Sequence, residues 1–220
     1  MRASVEDVKI GAMALCLALI GAFGSRAYSA PASDLAWANV NDAEHWTAVA
    51  TNTLSTTSLP DSVPADISTF CPAYQGATRH DRTHFWVALM AAVARAESGF
   101  NPRNSFTESF HESGPGSPLV VSRGLLQLSF PGDRDRYRCN MPSAESLYDP
   151  TVNLACGIKI LAQLVARDHR IAGQVGTAWK GAAAYWATLR SRGGKNGSNA
   201  TNLAEIERAT QSLKVCQAHS

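Results

Sequence analysis

A long apolar segment between Asp81 and Ser98 constrains the fold of this chain more than any other feature of its sequence. Its large apolar side chains recur at the spacing of an α-helix, and Gly99 and Pro102 follow where a helix should end. We therefore predict one helix over these residues. A helix with so much apolar surface needs other elements to cover it, so the chain must build a core around it.

Other segments also carry helical signals. Asp149 and Pro150 form a start signal, because a capping side chain precedes a proline in the first turn. The helix that follows should bury one apolar face, made of Leu154, Ile158, Leu161 and Val165. Further helices are predicted from Asp42 to about Leu54, from Thr177 to Arg190 and from Leu203 to Leu213. No segment alternates like a strand, so the predicted fold class is mainly α.

The first thirty residues differ from the rest of the chain. Arg2 and Lys9 flank the start, and an almost uninterrupted apolar run (10–24) is followed by small residues. This order is typical of a secretory signal peptide, and the run is short for a membrane span, which needs about 20 apolar residues. An uncleaved N-terminal anchor is the alternative. We predict a signal peptide at 1–30, an irregular extension or linker at 31–70, and a folded domain at 71–220.

The cysteines agree with export. Removal of Cys16 with the signal peptide leaves four cysteines, an even number that suits an oxidising compartment. Three pairings are possible. We favour Cys139–Cys156, which closes a short local loop, with Cys71–Cys216 joining the beginning of the domain to its end. The spacings contain no CxxC pair, so the cysteines do not predict a zinc site.

Charge and composition exclude several function classes. The chain is 45% hydrophobic and 17% charged, which fits a globular core rather than disorder. A net charge of +2 is too small to imply nucleic-acid binding.

His80 and His84 have the spacing of two metal ligands on a helix, but Asp81 replaces the glutamate of the zinc-protease motif and no third ligand is evident. We expect neither a metal nor a cofactor.

Glu97 lies on the apolar side of the first predicted helix. With Phe85 at zero on a helical wheel, Met90 falls at about 140° and Glu97 at about 120°. Burial and the negative end of the helix dipole both disfavour a charged carboxylate there, so both raise its pKa. A carboxyl in that environment can act as a general acid near neutral pH. The alternative is an ordinary helix-terminal glutamate that is solvated or paired with Arg103.

Four motifs in order resemble the lytic transglycosylases of the soluble-lytic-transglycosylase (SLT) type, which belong to the lysozyme-like superfamily together with goose-type lysozymes. The first two are Ala96-Glu97-Ser98-Gly99-Phe100-Asn101-Pro102 and Ser122-Arg123-Gly124-Leu125-Leu126-Gln127-Leu128-Ser129. The other two are Asp149-Pro150 with Asn153-Leu154 and Gly157, and Ala184-Tyr185. The resemblance spans about Phe85 to Arg190, and each motif alone is weak evidence.

The resemblance implies a lysozyme-like helical fold and a specific reaction. Glu97 would be the single general acid/base that cleaves the bond between N-acetylmuramic acid (MurNAc) and N-acetylglucosamine (GlcNAc) and forms a 1,6-anhydro ring. Gln127 would hydrogen-bond the glycan, Leu126 would shape the cleft, and Tyr185 would hold Glu97 in place. Ser122 is preferred over Ser117 as the family's substrate-binding serine.

The chain departs from the family pattern at two places. Trp186 follows Tyr185 where the family has asparagine, and the gap between Glu97 and Gly124 is longer than usual. That gap contains Glu108 and Glu112, either of which could supply a second carboxylate. If one of them faced the cleft, it could activate a water molecule, and hydrolysis would compete with anhydro-ring formation.

Three hypotheses follow for function. The first is an exported lytic transglycosylase, periplasmic or secreted, that acts on peptidoglycan glycan strands. The second is a hydrolytic muramidase on the same fold. The third is a non-catalytic wall-binding or assembly-accessory module, against which the joint presence of Glu97 and Gln127 argues. We expect a monomer with no nucleic-acid partner.

Overall fold

The computed structural model describes residues 32–112 and 114–217. The predicted signal peptide and Cys16 lie outside this range. The described part of the chain contains the helices α1 (Ala43–Ser55), α2 (Ile67–Phe70), α3 (Arg79–Ser98), α4 (Gly132–Tyr137), α5 (Pro150–Asp168) and α6 (Ser198–Gln211). Within it, none of the helices has the length and apolar character needed to span a membrane. The predicted fold class, mainly α, is confirmed.

Helix α3 is the centre of the core. Its residues 84–94 are all buried, and α1 and α6 both pack against it. The helix begins where the Thr78 hydroxyl accepts a hydrogen bond from the Asp81 amide, and it ends at Gly99, whose φ of 60° suits glycine. Since the middle of α3 is buried on every side, it is a core helix rather than a helix with one apolar face.

Helix α5 begins as its sequence predicts. The Asp149 side chain accepts a hydrogen bond from the Thr151 amide, and Pro150 occupies the first turn. The four apolar residues predicted to share a face are all buried, namely Leu154, Ile158, Leu161 and Val165. Helix α6 starts at Ser198, five residues before the predicted Leu203.

Residues 32–70 are not an irregular extension outside the core, which corrects the sequence-based expectation for 31–70. Trp37, Trp46 and Leu54 are fully buried in the main hydrophobic cluster, and α1 packs against both α3 and α5. The Trp37 indole donates a 3.0 Å hydrogen bond to the Thr47 hydroxyl. The polar composition of 55–68 suggested a linker, but buried aromatic residues on either side of it anchor the segment to the domain.

Two small antiparallel sheets are present that no alternating pattern predicted. One has the strand order β1 (Ser105–His111), β2 (Leu119–Arg123), β3 (Leu128–Ser129). An irregularity in the β1–β2 register lies between Thr107 and His111, so the strand departs from a strict period of two. Every residue of β1 except Glu108 is exposed, so the strand also lacks the alternation of buried and exposed residues that marks a half-buried strand.

The second sheet replaces the helix predicted at Thr177 to Arg190. Strands β4 (Ala172–Val175) and β5 (Ala178–Gly181) form a hairpin, and short 3₁₀ turns cover Ala182–Ala184 and Ala187–Leu189. At Gly181, φ is 60° and a Cβ atom would lie 2.4 Å from the carbonyl oxygens of Arg170 and Ile171. That close approach requires glycine and a non-helical backbone, which outweighs the helical spacing of the neighbouring tryptophans.

Two disulfides tie the domain together. They join Cys71 to Cys216 and Cys139 to Cys156, the two pairs favoured from the sequence. The first connects the residues before α3 to the end of the described chain. The second attaches the segment after α4 to the middle of α5, and so supports one wall of the cleft described next.

Candidate active site

A cleft of about 640 Å³ opens beside the C-terminal end of α3. Its walls come from α3, the three-stranded sheet, α4 and the 3₁₀ turns after β5. The residues that matter for its chemistry are Glu97, Glu108, Ser122, Gln127, Asp133 and Tyr185. Five of these were predicted from the sequence to belong to a site, and the fold brings all five together from separate segments.

Glu97 lies in the last turn of α3 and is partly buried. The Thr188 hydroxyl donates a 2.6 Å hydrogen bond to its Oε1 atom. Loss of hydration raises the pKa of Glu97 to about 7, and the negative charge of Glu108 acts in the same direction. The Thr188 hydrogen bond and the Arg190 guanidinium oppose this rise. Glu97 can therefore hold or release a proton near neutral pH.

Glu108 faces the same cleft from β1. The Ser122 hydroxyl on β2 donates a 2.7 Å hydrogen bond to the Glu108 carboxylate. Ser122 is thus engaged with a carboxylate of the protein, and the charge of that carboxylate raises the pKa of Glu97. Glu112, the other acidic residue of the long gap, also lines the cleft.

Gln127 lies in a tight turn between β2 and β3. Its Nε2 atom donates to the carbonyl oxygens of Gly124, at 2.8 Å, and Asn104, at 3.2 Å. Gly124 has a φ of 76°, and a Cβ atom there would lie 2.1 Å from the Leu147 carbonyl oxygen. The turn is therefore rigid, and it presents Gln127 to the cleft with its amide hydrogens already bonded to the protein.

Leu126 does not line the cleft, which corrects the role inferred from the family motif. It is fully buried, and its side chain fills the space over Gly157, where a Cβ atom would lie 2.2 Å from Leu126 Cδ1. Its carbonyl oxygen accepts a 2.9 Å hydrogen bond from the Trp186 indole. Trp186, the residue that departs from the family pattern, thus supports the turn from behind.

Tyr185 lines the cleft, but the hydrogen bond that holds Glu97 comes from Thr188. The Tyr185 hydroxyl donates instead to Asp133 Oδ2, which also accepts a 2.7 Å hydrogen bond from the Ser129 amide. Burial raises the pKa of Asp133, and burial together with the neighbouring carboxylates raises the pKa of Tyr185. The role that the family motif implied for Tyr185, holding Glu97, therefore falls to Thr188.

Thr188 and Asp133 are the site residues that sequence reasoning missed. Thr188 belongs to the 3₁₀ turn Ala187–Leu189 and is 91 positions from Glu97, while Asp133 lies in the first turn of α4. No local pattern marks either residue. For Asp133, the only signal was its place in the short acidic and basic segment that follows the Gln127 motif.

The two histidines weighed as metal ligands lie outside this cleft. His84 Nε2 is 3.0 Å from Asp34 Oδ2, and His80 Nδ1 is 3.5 Å from Asp81 Oδ1. Among the described residues, no group of three or more His, Cys, Asp or Glu side chains is arranged to hold a metal ion.

Comparison with known proteins places these features in a family. Residues 77–205 match the family described as the transglycosylase SLT domain. Among solved structures, a glutamate-to-glutamine mutant of Bd0314 DslA is 37% identical, with a TM-score of 0.75 over 83% of this chain and 97% of that chain. Wild-type Bd0314 DslA in form 2 and a second glutamate-to-glutamine mutant are each 38% identical, with a TM-score of 0.73 over 81% of this chain and 94% of theirs. A comparison with curated protein sequences found no match.

The matched residues include α3, the three-stranded sheet, the Gln127 turn and α5, so they contain most of the cleft. The lysozyme-like fold and the resemblance noted in the sequence are both confirmed. The chain therefore belongs to the transglycosylase SLT domain family.

Proposed function

We propose that this protein cleaves the β-1,4 bond between MurNAc and GlcNAc in peptidoglycan, with Glu97 as the general acid and base. The proposal depends on one observation. Glu97 is a partly buried carboxyl in the cleft, and its pKa is raised to about 7. The family match supports peptidoglycan as the substrate in general. Because that substrate lies outside the cytoplasmic membrane, the proposal includes export directed by residues 1–30.

The proposed reaction has two proton transfers. Protonated Glu97 gives its proton to the oxygen that leaves with GlcNAc while the bond from that oxygen to the anomeric carbon of MurNAc breaks. The ionised Glu97 then takes the proton from the MurNAc 6-hydroxyl, whose oxygen attacks the anomeric carbon and closes the 1,6-anhydro ring. A pKa near 7 suits both roles, because the carboxyl must donate and then accept a proton at one pH.

Hydrolysis is the second candidate, and the position of Glu108 favours it. Glu108 lines the cleft with Glu97 and affects its pKa, so it could remove a proton from a water molecule that attacks the anomeric carbon. Glu97 and Glu108 are 11 positions apart, as are the two glutamates replaced in the Bd0314 DslA mutants. The two candidates therefore share the acid and differ in the nucleophile.

Digestion of purified peptidoglycan followed by mass spectrometry of the released muropeptides tests both candidates. Anhydro products are one water lighter than hydrolysed products. The Glu97→Gln variant should lose at least about a hundredfold in rate under either candidate, because general acid catalysis contributes that much. Glu44→Gln, an exposed glutamate of α1, is the matched control and should keep full activity.

The Glu108→Gln variant separates the two mechanisms. It should keep forming anhydro products if the MurNAc 6-hydroxyl is the nucleophile, and it should lose product formation if Glu108 activates water. Release of muropeptides by Glu97→Gln at the wild-type rate would contradict the proposed role of Glu97. The absence of any product from the wild-type protein would favour the non-catalytic binding module.

A further inference from the structure

Strand β1 exposes two large aromatic side chains. Phe106 is 62% exposed and Phe110 is 57% exposed, and they are the most exposed aromatic side chains among the large apolar residues of the described chain. Leaving two phenylalanine rings in water forgoes the free energy of burying their apolar surface. They lie two positions before and two positions after Glu108.

Both rings lie on the side of the sheet that carries Glu108. Phe106 is paired with Ser122 across the strands, and paired residues of antiparallel strands project from the same face. Ser122 in turn donates its hydrogen bond to Glu108, which places Phe106 and Glu108 together. Phe110 lines the cleft itself, in common with Glu108.

We propose that Phe106 and Phe110, the β1 aromatic pair, form a platform on which sugar rings of the glycan strand stack. The inference rests on the proposed function and extends it, since it assigns residues that hold the polymer on either side of the second carboxylate. Four residues of strand extend about 13 Å, so the pair spans more than one sugar ring, although the irregularity in β1 shortens the distance. Pyranose rings present apolar C–H faces that pack on aromatic faces.

The surroundings of the pair favour a glycan over a second copy of the protein. Glu108, a charged residue, lies between the two rings on the same face of β1, so the rings are separate rather than part of one continuous apolar surface. Stable protein interfaces bury about 800 Å² on each partner around an apolar centre. A glycan needs only isolated ring faces interleaved with hydrogen-bonding groups, and the platform continues directly into the cleft.

Binding to insoluble peptidoglycan tests the proposal without depending on catalysis. The full chain carrying Glu97→Gln is sedimented with purified peptidoglycan, and its affinity is compared with that of the same protein carrying added changes. Phe106→Leu combined with Phe110→Leu should weaken binding roughly tenfold, because leucine keeps the apolar character but has no ring face. Phe106→Tyr combined with Phe110→Tyr should bind within about twofold of the parent.

Val175→Ala is the matched control, because Val175 is 59% exposed on the β4–β5 hairpin, away from the cleft. It should bind as the parent does, and thermal unfolding should be the same for all variants. Equal binding by the leucine pair would overturn the proposal. So would light scattering that shows a dimer in the parent and a monomer in the leucine pair, which would assign the surface to self-association. All of these proteins carry Glu97→Gln and are compared by binding alone. The comparison therefore tests the β1 aromatic pair whether or not the wild-type protein cleaves peptidoglycan.

Discussion

The chemistry of Glu97 depends on residues that are far from it in the chain. Its own helix provides the position, in the last turn of α3 beside the cleft. The proton affinity is set by burial, by Glu108 on β1 and by Thr188 in a turn 91 positions away. Thr188 is itself buried, so its hydroxyl has a fixed direction and orients the carboxyl as well as lowering its pKa.

Replacement of Thr188 by valine should therefore change the pH dependence of the reaction. The hydroxyl donates to the carboxylate and favours its charged form, so its removal raises the pKa of Glu97 above the present value of about 7. Protonated Glu97 is the acid of the proposed reaction, so the fall in kcat/KM at high pH should move to higher pH in Thr188→Val. The maximum rate should also fall roughly tenfold, because the carboxyl loses its orientation.

Thr188→Ser provides the control, since serine keeps the hydroxyl and should keep the pH profile of the wild-type protein. The measurement is the rate of muropeptide release from about pH 5 to about pH 9, a range that brackets the Glu97 pKa of about 7. A valine variant with an unshifted profile would show that Thr188 does not influence the proton affinity of Glu97.

At the scale of elements, α5 positions the Gln127 turn through one buried side chain. Asn153 is fully buried; its Oδ1 atom accepts a hydrogen bond from the Leu126 amide, and its Nδ2 atom donates to the carbonyl oxygens of Arg123 and Leu147. The helix therefore holds both ends of the turn that presents Gln127. This arrangement explains why a loop beside the cleft can be rigid without regular secondary structure.

Asn153→Ala should reduce the free energy of unfolding by about 3 kcal/mol, because it removes three hydrogen bonds to backbone groups of the turn and its surroundings. It should also reduce kcat/KM, since the turn beside the cleft loses its support. Urea denaturation measures the first effect. Asn52→Ala, at an exposed position of α1, is the matched control and should change stability by less than about 0.5 kcal/mol. Equal stability of the two variants would contradict the role assigned to Asn153.

At the scale of the whole molecule, the two disulfides close loops of very different length. Cys71 and Cys216 are 145 positions apart, whereas Cys139 and Cys156 are 17 apart. A longer loop removes more conformational freedom from the unfolded chain. The first disulfide therefore constrains nearly the whole domain, and the second constrains only the segment between α4 and α5.

Removal of the two disulfides should destabilise the protein unequally. By the loop-entropy relation, Cys71→Ala with Cys216→Ala should cost about 5 kcal/mol of unfolding free energy, against about 3 kcal/mol for Cys139→Ala with Cys156→Ala. All four cysteines are buried, so the lost packing is similar in the two pairs. Denaturation midpoints of the two double variants give the comparison. A larger loss from the shorter loop would show that local support of the cleft wall outweighs loop entropy.

The sequence alone determined the helices α3 and α5, the two favoured disulfide pairs, the candidate acid Glu97 and the resemblance to the SLT family. These follow from local rules, because helical periodicity and capping act within a few residues and the four motifs keep their order along the chain. The sheet and the hairpin that replaced a predicted helix were missed. Strand β1 is almost entirely exposed and so carries no alternating pattern, and the close approach at Gly181 overrides the helical spacing of the residues that follow it.

Only the tertiary structure decided which residues meet in the cleft. Thr188 rather than Tyr185 is bonded to Glu97, Tyr185 is bonded to Asp133, and Glu108 turns toward the cleft while Leu126 turns away from it. The physical reason is that hydrogen bonds and charge interactions depend on distance in space. Segments separated by tens of residues determine those distances through packing, and no local pattern in the chain records the result.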